Sequence, residues 1–293
     1  MKTFGQRMLE AAARGAEMSG KDAGKISAFI LSCQGTDGGF RGHGKESDLY
    51  YTMFALEGLS ALGADFDRDA VGGYIHSKEP EDLDFIHCCC LARCISLFEI
   101  DDANLSGRII RRINEYRGAG GGFSHTQLDR SCSGYGCFLA TGAYDDLGVS
   151  LENQEAMLRC VENLLNPDGS YKNQAQDFCS TVPSTAAAVS VLSRFGRAVR
   201  RESIDRLIAC KISRSGFGVS PQVPFADLLS TASALFALRL AEVESERFNE
   251  GCVEFVMSLL KDAGGGFCAN EFDGRADCEY TFYGLMSLGL LTE

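Results

Sequence analysis

The sequence predicts an all-α fold in which about six helical hairpins close into a double barrel. Three observations predict it. A Gly-Gly-aromatic turn recurs along the chain, helices of two kinds alternate between the turns, and the final unit lacks the polar cap that an open array of repeats requires.

The turns set the count. Gly-Gly-Phe ends at Phe40, Phe123 and Phe267, with weaker copies ending at Tyr171 and Phe217. The intervals between these aromatics are 83, 48, 46 and 50 residues. The first is close to twice the others, so a unit without its turn lies between Phe40 and Phe123. Asp84-Phe85-Ile86-His87 stands in that unit where Asp48-Leu49-Tyr50-Tyr51 stands in the one before.

The helices set the layers. Ahead of each turn runs an amphipathic helix, as in Ile26, Phe29, Ile30 and Cys33, or Phe248, Cys252, Phe255 and Leu259. After it comes a helix that is apolar nearly all round, such as 51–62, 230–238 or 280–288. A helix apolar on one face belongs at the surface, and one apolar on every face must be buried on every face. Alternating the two gives an inner and an outer layer: an α/α toroid, or α6/α6 double barrel. One domain is expected over 1–293, with an N-terminal helix over 1–20 and repeats from about 21 to 291.

An Asp precedes each inner helix: Asp48, Asp84, Asp129, Asp177, Asp227 and Asp277. Each is expected to be an N-cap, accepting free backbone N–H groups and opposing the positive helix end. Together they should ring one mouth of the barrel. Aromatic residues early in the inner helices, including Tyr50, Tyr51, Phe54, Phe85, Tyr135 and Phe282, suit an apolar ligand.

Composition narrows the function. The chain carries a net charge of −12 with 45% hydrophobic residues, so a nucleic-acid partner is not expected. No apolar run is long enough to span a membrane, and the first 20 residues lack an apolar leader segment. Thirteen cysteines sit mostly in apolar helical patterns, where a thiol acts as a small hydrophobe. A reduced, cytoplasmic protein is expected. Two decoys fall away. Gly39 to Lys45 starts like a phosphate-binding loop but continues with Glu46, and Cys88-Cys89-Cys90 on a helix cannot converge on one metal ion.

The string Cys33-Gln34-x-x-Asp37-Gly38-Gly39-Phe40, followed by Asp48-x-x-Tyr51-Thr52-x-x-Ala55-Leu56, resembles the prenyltransferase and squalene-oxidase repeat. Copies around Phe217, Asp227 and Thr231, and around Phe267, Asp277 and Thr281, resemble it again. The single-ring plan is most similar to a protein prenyltransferase β subunit, which implies an isoprenoid ligand and a helical α-subunit partner. In that family an Asp, a Cys and a His hold zinc, and the matching positions here are Asp227, Leu229 and Tyr280. Its diphosphate-binding Arg and Lys correspond to Pro221 and Pro224. Zinc-dependent prenyl transfer in the family's manner is therefore not expected, and no cofactor is expected. A relocated zinc site would have to draw on Cys132, Asp177, Cys179 and His87.

The expected function is binding of an apolar or isoprenoid ligand within the barrel. The candidate cavity residues are Tyr50, Tyr51, Phe54, His87, Tyr135, Asp177, Cys179, Asp227, Asp277 and Tyr280. If the protein is an enzyme, it is expected to be a prenyltransferase-like or other isoprenoid-handling one. The alternatives are a non-catalytic toroid that binds a peptide, lipid or partner protein, and a single-domain terpene cyclase using Asp82 or Asp84.

Overall fold

The computed structural model describes residues 2–127, 129–244 and 246–292. Helix α1 (Phe4–Ser19) opens on a capping box, in which Thr3 and Gln6 satisfy each other's backbone N–H groups. Six hairpins follow. The outer helices are α2 (Ala23–Ser32), α4 (Arg68–His76), α6 (Ala103–Asn114), α8 (Gln154–Glu162), α10 (Arg201–Ile208) and α12 (Cys252–Ser258). The inner helices are α3 (Leu49–Ala61), α5 (Phe85–Leu97), α7 (Gly134–Asp146), α9 (Val182–Arg194), α11 (Leu228–Leu240) and α13 (Cys278–Leu290).

Each inner helix packs on the next, and α13 packs on α3 as well as on α11. The ring is therefore closed. The outer layer closes by the same turns the sequence displays. Gly38, Gly121, Gly169 and Gly265 all have φ between 82° and 92°, a region that costs any residue with a Cβ. A Cβ at Gly38 would meet Ala70 O of the following outer helix at 2.1 Å, and one at Gly265 would meet Lys25 O at 2.3 Å. Lys25 belongs to α2, so the last turn docks on the first outer helix.

A second device ties each turn to its inner helix. The backbone N–H of Phe40 donates to Thr52 Oγ1 at 2.8 Å, and Tyr171, Phe217 and Phe267 donate likewise to Thr185, Thr231 and Thr281. Thr52, Thr231 and Thr281 in turn donate to the backbone carbonyl four residues earlier. In the third unit Cys137 Sγ replaces the hydroxyl, 3.3 Å from Phe123 N. The buried turn N–H is thus satisfied in all five units that carry the turn.

The predicted caps hold in four units. Asp48, Asp84, Asp227 and Asp277 accept from the backbone at the start of α3, α5, α11 and α13. Asp129 and Asp177 do not cap. Ser133 caps α7 and Thr181 caps α9, while the two Asp side chains close local turns, Asp129 onto Ser131 N and Asp177 onto Gln174 N. The reason is length. From the third unit on, the cap stands ten residues after the turn aromatic, and ten residues beyond Phe123 and Tyr171 are Ser133 and Thr181. Phe85 also departs from expectation. Its ring lies 5.2 Å from Tyr116 and 6.4 Å from Phe123, in the seam between layers rather than on the lumen wall.

Candidate ligand cavity

The inner helices all run away from the capped mouth, so residues early in each helix lie near it. The lumen opens there into a cavity of about 450 Å³. Tyr50, Tyr135, Phe138, Phe236, Tyr283 and Met286 supply much of its apolar wall. A smaller lobe of about 130 Å³ adjoins it and shares Tyr50, Tyr135, Phe138 and Tyr283. The small side chains Ala186 and Ala187 on α9 leave the space that larger ones would fill.

Polar groups gather mainly toward the mouth: His125, Asn173, Thr181, Ser184 and Glu279. Asn173 Oδ1 is itself held, accepting from Ser133 Oγ and Tyr135 N at 3.0 and 2.9 Å. Glu279 is the notable one. It is the second residue of α13, and Tyr50 Oη donates to its Oε1 at 2.7 Å. Burial among tyrosines pushes its carboxyl up to about 7, and the Tyr50 hydroxyl lowers it only in part. Near neutral pH the cavity therefore holds a carboxyl group shared between its neutral and charged forms.

The sequence-predicted residues separate into three groups. Tyr50, Tyr135 and Phe54 face the lumen, Phe54 in the smaller lobe. Leu229, which stands where the family places a zinc-ligating Cys, lines the larger lobe as an apolar residue. Tyr51, His87, Asp227, Asp277 and Tyr280 stand at or within the first turn of their inner helices but line neither lobe. His87 bridges two caps, with Nδ1 2.8 Å from Asp84 and Nε2 3.3 Å from Asp48. Its hydrogen bond with Asp48 raises it to about 9 despite partial burial, so it is an imidazolium at neutral pH. His43 Nε2 approaches Asp277 at 3.3 Å in the same manner.

Asp177 and Cys179 line neither lobe, and Cys179 is exposed on its loop. Cys132 instead faces Cys137, sulfur to sulfur at 3.7 Å. Among the described residues, no three His, Cys, Asp or Glu side chains converge as a metal would need. Asp82 and Asp84, the acids of the cyclase alternative, are exposed.

Besides Glu279, two features escape sequence reasoning. The first is a buried charge cluster beside the smaller lobe. Arg93 Nε donates to Glu57 at 2.6 Å and Nη1 to Asp146 at 3.1 Å. Burial pushes Asp146 up to about 7. The signal was present, since Glu57 and Arg93 interrupt helices that are otherwise apolar all round. The second is α1. It packs along α13 and also reaches α7, the helix opposite α13 in the ring, so it crosses the lumen at the end away from the mouth.

Among the described residues, no helix is long and apolar enough to cross a membrane. No protein of curated function matches the sequence. Solved structures do share the fold. The α-1,6-mannanase GH76A of Salegentibacter sp. HEL1_6 superposes with a TM-score of 0.64 at 13% identity, covering 93% of this chain and 98% of that one. The type II terpene cyclase MstE of Scytonema gives 0.63 at 11% identity over 94% and 98%. Candida albicans protein geranylgeranyltransferase-I, complexed with GGPP, gives 0.63 at 15% identity over 80% and 83%. A hydrolase, a cyclase and a transferase thus share one architecture, which at such low identity speaks for fold alone. The sequence itself matches the family described as the prenyltransferase alpha-alpha toroid domain over residues 5–145, 126–207 and 185–293. With its closed ring and recurrent turns, the chain belongs to that family.

Proposed function

We propose that the protein binds an elongated apolar molecule of the isoprenoid class in the toroid lumen, with an uncharged polar end at the capped mouth. The observation that carries this reading is the distribution of polarity in the 450 Å³ cavity. Its depths are mostly aromatic and aliphatic, and most of its hydrogen-bonding groups stand near the opening. A diphosphate end is disfavoured, because no Lys or Arg lines the larger lobe and the prolines 221 and 224 stand at the family's cationic positions. Two fold neighbours support the ligand class by analogy. One was solved with GGPP, and MstE with a geranylgeranyl dihydroxybenzoate substrate.

The test is a comparison of isoprenyl alcohols with their diphosphates by thermal unfolding and calorimetry. The alcohols should raise the melting temperature in proportion to ln(1 + [L]/Kd), and the diphosphates should bind more weakly. Ala187→Phe, which adds a ring to the cavity wall, should abolish binding while the protein still melts cooperatively. Tighter binding of the diphosphates would overturn the polar-end assignment, and no binding of either would overturn the reading.

A second reading, catalysis on the bound chain, is favoured by Glu279. A carboxyl poised near 7, oriented by Tyr50 and set in an aromatic cavity, suits proton transfer to a bound ligand. Glu279→Gln should then retain alcohol binding and lose any conversion of the bound chain, followed by chromatography of extracted ligand.

A further inference from the structure

The inner helices fix the width of the cavity, but its depth depends on whatever crosses the barrel axis. That element is α1. Its middle is held hard against α13 through glycines: a Cβ at Gly15 would meet Leu285 O at 1.8 Å, and one at Gly289 would meet Ala11 O at 1.7 Å. From this anchor the first turn extends to the opposite wall. The Phe4 ring stacks on Phe138 at 4.9 Å and meets Phe236 edge-on at 5.9 Å. Both of those rings line the larger lobe. Met8, one turn on, lines both lobes.

The fit of this turn is specific. Gly5 lies beneath the Arg93 guanidinium, where a Cβ would come within 2.2 Å of Nη1. Arg93 is held in turn by Glu57 and Asp146. The first turn is therefore wedged between a fixed cation and two aromatic rings, and Phe4 is only 2% exposed. It forms a built surface under the cavity.

We propose that the first turn of α1 is the floor of the ligand cavity, and that Phe4 and Met8 set the length of apolar chain it accepts. This rests on the ligand reading given under Proposed function. Truncating Phe4 removes the ring behind Phe138 and Phe236 and opens the smaller lobe, whose lining includes Phe4 and Met8, to a chain entering from the larger one. Enlarging Met8 does the reverse.

The experiment measures affinity for geraniol, farnesol and geranylgeraniol by calorimetry, on the full chain and on Phe4→Ala, Phe4→Leu and Met8→Phe. The native protein should show an optimum length. Phe4→Ala should move that optimum to a longer alcohol, with affinity rising about fourfold for each methylene newly buried. Phe4→Leu should move it less, and Met8→Phe should move it to a shorter one. Circular dichroism establishes which variants fold. If Phe4→Ala does not fold, Phe4→Leu and Met8→Phe still displace the optimum in opposite directions. An optimum unmoved in the folded variants, or affinity in the native protein that is indifferent to length, overturns the floor while leaving the ligand reading intact. Failure of the native protein to bind any of the three alcohols overturns the ligand reading itself.

Discussion

At the scale of the residue, what decides the character of the site is a small number of polar groups placed where the helices are otherwise apolar. Gly5 shows how tightly one of them is accommodated. Gly5→Ala would drive a methyl group into the Arg93 guanidinium, which two carboxylates prevent from yielding. We expect it to expel the first turn of α1 and destabilise the protein by about 1–3 kcal/mol, the usual cost of overpacking, readable in urea titrations. Arg93→Met should cost more, because it strands Glu57 and Asp146 as buried, unpaired carboxylates. Arg214 offers a change of the opposite sign. It holds φ at 53° beside the turn of the fifth unit without being glycine, and Arg214→Gly should stabilise by about 1 kcal/mol.

At the scale of the element, the hydrogen bond between turn and inner helix recurs often enough to be tested as a rule. Thr231→Val keeps the shape but leaves the Phe217 N–H buried without an acceptor. The expected loss is about 1–3 kcal/mol, and Thr52→Val should behave alike. Cys137→Thr should gain stability, since it installs the stronger acceptor that the other turns use.

The same elements show what was legible in the sequence. Spacing gave the ring, the two layers and four of the six caps, because turn glycines and N-cap residues act locally. The assignment failed at Asp129 and Asp177, where residue type was followed instead of distance from the turn aromatic. Ser133 and Thr181 are residue types that can cap in place of Asp, and only the ten-residue offset distinguishes them. The role of α1 was not legible. Its small residues mark a close helix contact, but nothing local says that the partner is α13, more than 260 residues away in the chain. Glu279 was overlooked because its neighbour Asp277 already satisfied the repeat. Its significance lies in Tyr50, which the ring closure brings alongside.

At the scale of the whole molecule, three titrating groups act in the same direction. His87 is raised to about 9 chiefly by its bond with Asp48, so its contribution is complete below its ordinary value of 6.5 and is lost as pH rises through 9. Asp146 and Glu279 are raised to about 7 by burial, and their protonated forms fit the fold better. Each therefore withdraws stability as pH rises from its ordinary carboxylate value toward about 7, and adds no further change above that. Stability should fall from about pH 4 to pH 9, with Glu279→Gln flattening the part below about 7 and His87→Gln the part above it. Denaturant melts at fixed ionic strength across that interval provide the check. A profile that rises with pH would contradict the assignment of all three.

The packing of α13 on α3, with the last turn seated on α2, has a further consequence. A linear array of hairpins unfolds from its ends, where a unit has one neighbour instead of two. This ring offers no such place to begin. Any first rupture must separate two fully formed interfaces, so all six units should share one fate. Amide hydrogen exchange is expected to show similar protection in α3, α7 and α11, and no gradient along the chain. During synthesis the reverse holds, since the earlier hairpins must wait with an unfinished seam exposed until the last one arrives.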